Sequence, residues 1–142
     1  MYSKHCTNLV KFFESCKLKA YLCPAGVPTI GWGETGPHVF IGLTVTQEQA
    51  DAWLKRALDK ANLALHRLVN CPLKQHQEDA LTSFIYNCGE FSFEKSTLRK
   101  HVNCGSIEDA TKEFDKWVNG DGKKLPGLVK RRAAERAMFE GK

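Results

Sequence analysis

Residues 26–36 read GVPTIGWGETG. Four glycines and one proline surround a Thr-Ile pair and a tryptophan. Glycine and proline punctuate a chain, whereas Thr, Ile and Trp favour strands. The combination predicts a tight antiparallel hairpin in which Gly26, Gly31 and Gly33 allow sharp turning and a close approach of a ligand to the backbone. Upstream, in FESCKLKAYLCPAGVPTIGWGETG (13–36), lie Glu14 and Cys23. Leu18, Ala20 and Leu22 alternate with Lys19 and Tyr21, the period of a half-buried strand. VFIGLTV (39–45) is a further β-type run. Residues 17–46 thus form an expected sheet of two or three strands, too small to be stable without a larger partner.

That partner is helical. Cys6, Leu9, Val10, Phe13 and Cys16 recur at helical spacing, with Ser3 or Thr7 as starts. Glu14 falls in the last turn of this helix or just beyond, where the dipole disfavours a negative charge, so it calls for a basic partner or a retained proton. TQEQ (46–49) fits a capping box and opens a long helix that stops at Asn70, Cys71 and Pro72. Further helices are expected over Gln75 to Asn87, ending before Gly89, and over Thr97 to Val102. SIED (106–109) predicts a capped helix carrying Ala110, Phe114 and Trp117. NGDG (119–122) breaks it, and Pro126 opens a last helix running to about Glu140. The fold class is α+β: a small β-lobe at roughly 17–46 on a larger helical lobe at roughly 47–142 plus the N-terminal helix, as a single domain of residues 1–142. The cleft between lobes is the expected ligand site.

Composition narrows the function. Apolar residues at 42% suit a folded core, and no apolar run approaches the ~18 residues of a membrane span. The charged N-terminal run lacks the features of a signal peptide, which predicts a cytoplasmic location until some other agent releases the chain. Six cysteines without a CxxC pair read as reduced thiols, mostly buried, and His5–Cys6 and His101–Cys104 are too sparse for a metal site; no metal and no cofactor are expected. The net charge of +5 could serve a polyanion. The aromatic residues, however, keep core spacing and do not interleave with the basic ones, so nucleic acid is not an expected partner.

Taken alone, Glu14 reads as a surface carboxylate, Cys23 as an inert thiol and Thr29 as a strand residue. Together, Glu14-x8-Cys23-x5-Thr29 followed by TIGWG resembles the phage lysozyme (endolysin) family, glycoside hydrolase family 24. LTVTQEQADAWL, SFIYNCGEFSFEKSTLRKHVN, ATKEFDKW and GLVKRRAAERAMF resemble its later segments in order. The resemblance implies a lysozyme-like fold and a muramidase that hydrolyses the β-1,4 bond between N-acetylmuramic acid and N-acetylglucosamine in peptidoglycan. By this resemblance Glu14 protonates the leaving oxygen, which requires a carboxyl that keeps its proton well above the ~4.3 of a free glutamate. Cys23 acts from the opposite face of the sugar, activating water in an inverting reaction or attacking the anomeric carbon in a retaining one. Thr29 holds the water.

Tyr86 and Asn87 of YNCG would line the cleft, Tyr86 stacking on a sugar and Asn87 bonding near Glu14. Glu34 stands where many relatives carry His, as a structural residue or an additional cleft carboxylate. Arg131 and Arg132 read as part of a solvated basic helix, the alternative being that they pair with a carboxylate in the cleft or with the polymer. The partners implied are the peptidoglycan polysaccharide and a separate membrane-permeabilising, holin-type protein, with the enzyme a monomer. A lytic transglycosylase and a catalytically inactive wall-binding protein are the alternatives.

Overall fold

The computed structural model describes every residue of the 142 except Asp121; the expected break at NGDG falls partly on that residue and so lies partly outside the described residues. Helix α1 spans Lys4–Phe13 and is capped by Ser3, whose side chain accepts the His5 amide. Ser3 also donates from its backbone N–H and its hydroxyl to the Asp79 carboxylate, at 2.7 and 2.5 Å, which anchors the start of α1 within the helical lobe. Glu14 is the C-cap, its amide bonded to the Val10 carbonyl. The helix therefore ends before Cys16, which the apolar period had included.

Strands β1 (Lys17–Leu22) and β2 (Pro28–Gly31) pair antiparallel, with Tyr21 opposite Thr29 and a bulge between Lys17 and Tyr21. The VFIGLTV run is not a regular strand: Gly42 takes a positive φ and bends it, and only Thr44 bridges to Lys19. It still lies along β1 through Ala20 N–H to Leu43 O and Val45 N–H to Leu18 O, both 2.9 Å. Ile30, buried completely, packs with Ala20 and Val39 beneath this layer.

Helix α2 (Gln47–Leu68) starts on Thr46, whose hydroxyl accepts the Gln49 amide. Helix α3 (Gln75–Cys88) ends at Gly89, with φ 92°. That one residue also begins α4 (Glu90–Lys95), a helix that periodicity does not reveal. Helices α5 (Thr97–Asn103), α6 (Ile107–Glu113) and a 3-10 turn (Phe114–Lys116) follow. Ser106 makes no side-chain cap, because its ψ of 67° turns it from the capping geometry; the SIED box does not form. A two-residue ladder, β3 (Asn119–Gly120) with β4 (Lys123–Lys124), leads to α7 (Pro126–Phe139). Phe84 of α3 centres the helical core, edge-on to Phe93, Phe114 and Trp117. The six thiols are free, but only Cys6 is buried; Cys104 is exposed and the other four half-buried, against the expected burial.

Candidate active site

The end of α1, the hairpin, α2 and α3 meet around a cavity of about 420 Å³, lined by Glu14, Gly33, Glu34, Lys60, Tyr86 and Asn87 among others. The hairpin is fastened there from three sides. Trp32 donates its indole N–H to Asp51 of α2 at 2.7 Å. Lys11 of α1 lies over the Trp32 ring at 5.2 Å. Tyr86 of α3 donates its hydroxyl to the Trp32 carbonyl at 2.9 Å. Burial, with the Glu14 charge second, pushes the Tyr86 phenol up, so it remains a donor. Gly33 between these fastenings has φ 104°, and a Cβ there would sit 3.0 Å from Glu14 Oε2. Only glycine permits both the turn and the approach of the carboxylate.

Glu14 has its basic partner. Arg131 Nη1 donates to Glu14 Oε1 at 3.1 Å. The guanidinium is 3% exposed and the carboxylate side chain 24%. Arg131 is held in turn by Glu135 Oε2 at 3.3 Å and Ser83 Oγ at 3.4 Å. Arg132, 1% exposed, donates to Glu135 Oε1, Asn87 Oδ1 and the Trp117 carbonyl. The solvated-helix reading of Arg131 and Arg132 is thus corrected: both arginines are interior, and Arg131 takes the alternative, pairing with a carboxylate of the cleft. Two guanidiniums are balanced by Glu135 and Glu14, the arrangement a buried charge requires. The sequence carried a faint sign of it, since Arg131 and Arg132 stand four and three residues before Glu135 on one helix face.

Cys23 and Thr29 lie on the hairpin but outside the lining of this cavity. The turn closes through Cys23 N–H to Val27 O at 3.1 Å and Gly26 N–H to Cys23 O at 2.8 Å. The Val27 and Ala25 main-chain amides, with Thr29 nearby, hold the Cys23 thiol below the usual cysteine range. Thr29, 4% exposed, donates its hydroxyl to the Val27 carbonyl at 2.9 Å, which leaves the oxygen lone pairs as its free function. Tyr86 and Asn87 do line the cavity with Glu14. Their polar atoms bond Trp32 and Arg132, and neither is recorded bonding Glu14. Glu34 also lines it, bonded to His38 at 2.7 Å. Among the described residues no group of three or more His, Cys, Asp or Glu side chains could hold a metal ion.

The family model for phage lysozyme matches residues 11–135. An endolysin of Acyrthosiphon pisum secondary endosymbiont phage 1 is 44% identical over 136 residues, covering 93% of this chain and 92% of that protein. The endolysin from Escherichia coli O157:H7 phage FAHEc1 superposes with a TM-score of 0.89 at 32% identity, over 98% of this chain and 92% of that one. The muramidase domain of SpmX from Asticaccaulis excentricus gives 0.89 at 36% identity, over 98% and 97%.

Proposed function

The chain belongs to the phage lysozyme family and is a lysozyme-type glycoside hydrolase, a bacteriolytic endolysin acting on peptidoglycan; we propose that the bond it cleaves is the β-1,4 link from N-acetylmuramic acid to N-acetylglucosamine, with Glu14, Cys23 and Thr29 as its reacting groups. One observation carries the proposal. Arg131 holds Glu14 Oε1, while Oε2 faces Gly33 at the cavity, so one oxygen is fixed and the other is presented to a ligand. Oε2 gives its proton to the bridging oxygen as the C1–O bond breaks. A water adds its hydroxyl to C1. Its second proton goes to the Cys23 thiolate, the Thr29 oxygen accepting the other O–H and so orienting the attack. One water is consumed; Cys23 releases its proton to solvent and Glu14 regains one, so both groups return to their starting states. Tyr86 and Asn87 act in this reading as cavity walls that touch the glycan.

We further propose that residues 1–142 act as one domain and as a monomer. The enzyme is held in the host cytoplasm until a separate permeabilising protein admits it to the wall. Among the described residues, no helix is long and apolar enough to cross a membrane. Expression of the chain alone should leave cells intact, and co-expression of a membrane-permeabilising protein should lyse them.

Digestion of purified peptidoglycan by the parent, Glu14→Gln and Cys23→Ser, with products identified by mass, tests the chemistry. The parent should release reducing-end fragments, and E14Q should lose roughly 10²–10⁴-fold in rate. Wall clearing by E14Q at the parent rate would end the assignment of Glu14. Anhydro-sugar products would assign the second step to the substrate's own hydroxyl and release Cys23 and Thr29 from it.

A further inference from the structure

We propose that Glu34 is a glycan-binding residue of the same cavity, accepting a hydrogen bond from an N-acetyl N–H or a ring hydroxyl of the saccharide through its Oε1 oxygen. The proposal rests on the muramidase reading above and extends it to a residue which that reading leaves without a role. Glu34 lines the cavity together with Glu14 and directly follows Gly33, the residue beside Glu14 Oε2. Its main chain is fixed by a reciprocal pair with Ile30, Ile30 N–H to Glu34 O at 3.0 Å and Glu34 N–H to Ile30 O at 2.8 Å. The position of the side chain is therefore set by the turn that also brings Gly33 to Glu14.

The carboxylate is held on one side only. His38 Nε2 lies 2.7 Å and Arg56 Nη2 3.5 Å from Oε2. His38 is itself seated edge-on against Trp53 of α2, centroids 5.1 Å apart at 82°. Among the described residues, no recorded bond or ion pair involves Oε1. The side chain is 17% exposed, so it is largely enclosed yet still open to the cavity it lines. A carboxylate accepts hydrogen bonds and donates none. Its natural occupant is an N–H or O–H donor, and an N-acetylated hexosamine offers both. A group clasped from behind loses little freedom on binding, which is how a polar anchor contributes to affinity. The competing account makes Glu34 a latch that only ties the hairpin to α2 through His38 and Arg56.

The two accounts separate in the E14Q background, where glycan is bound and not cleaved. Binding of an N-acetylglucosamine oligomer is measured by calorimetry for E14Q, E14Q/E34A, E14Q/E34Q and E14Q/H38A, with thermal melting of each. Loss of one charge-assisted bond predicts a Kd roughly tenfold weaker for the E34A pair and an intermediate value for E34Q, which keeps an acceptor oxygen. H38A, which loosens the clasp to Arg56 alone and leaves the acceptor, should lose less than E34A. In the active protein, Glu34→Ala should raise KM with kcat little changed. Unchanged oligomer affinity in E14Q/E34A overturns the proposal while leaving the muramidase reading intact. Equal losses in E34A and H38A with parallel drops in melting temperature overturn it in favour of the latch. Failure of E14Q itself to bind any oligomer overturns this proposal, and the muramidase reading falls with it only if the parent also releases no reducing-end fragments from the wall.

Discussion

Arg131 and Glu14 are 117 residues apart in the chain, and their side chains meet at 3.1 Å. The contact joins the last helix to the end of the first and leaves one carboxylate oxygen facing the cavity. Arg131 is thus a positioning residue for the group proposed as the acid. In Arg131→Lys, a single ammonium replaces a planar fork that also reaches Glu135 and Ser83. The expected result is a fall in kcat of about 10²-fold from misplacement of Glu14, with KM nearly unchanged. Wild-type kcat in a folded R131K, verified by circular dichroism, would show that the contact does not orient the acid.

Gly33 and Gly105 form an internal control. Both have positive φ, at 104° and 76°, but only Gly33 has a neighbour where a Cβ would go, Glu14 Oε2 at 3.0 Å. Each Ala substitution should cost about 1–2 kcal/mol of stability. Gly33→Ala should also displace Glu14 and reduce wall hydrolysis, whereas Gly105→Ala should keep it. Equal activity of the two variants would remove Gly33 from the site.

Thiol reactivity should sort the cysteines. Burial pushes Cys6 up to about 12 and Cys88 up to about 11, while the Val27 and Ala25 amides hold Cys23 below the usual range. In pulse alkylation followed by peptide mass mapping, Cys23 should react at a lower pH than either. A thiol held low is ionised over more of the pH scale, so the rising limb of activity that Cys23 would set should lie at lower pH than that of an unperturbed cysteine. Cys23→Asp should move that limb further down, towards the ~3.9 of a carboxylate, with hydrolysis retained. An unmoved limb in C23D would exclude Cys23 as its source.

Glu135 is the anion between Arg131 and Arg132 and is fully buried. Glu135→Gln keeps the shape and removes the charge, leaving two interior guanidiniums short of a partner. The expected cost is about 3–5 kcal/mol, read as a lowered denaturation midpoint at constant m-value. A midpoint within error of the parent would show that solvent or Glu14 compensates.

The sequence disclosed those elements whose signals are local. Thr46 caps the helix it was expected to open, Ser3 is the one of the two offered starts, Ser3 or Thr7, that caps α1, Gly89 ends α3, and β2 of the hairpin carries Thr29 and Ile30. Misreadings arose where a single residue did two jobs or where backbone angles decided. Gly89 serves α3 and α4 at once, so the short EFSFEK helix left no boundary of its own. Ser106 has the right side chain at the wrong ψ. The interior placement of Arg131 and Arg132 was only faintly legible for a different reason. Arginine is rarely buried, and what makes it tolerable here comes from Glu14, Ser83 and Asn87, on elements far away in the chain. Among the candidate residues, Glu14, Tyr86 and Asn87 converge on one cavity, while Cys23 and Thr29 stand on the hairpin outside its lining.

Because the carboxylate at position 14, which we propose as the acid, is held from position 131, a polypeptide still emerging from the ribosome carries that group without the means to aim it. Incomplete or prematurely terminated products would therefore be inert towards the wall, and lytic potential would be acquired in one step when synthesis is nearly finished.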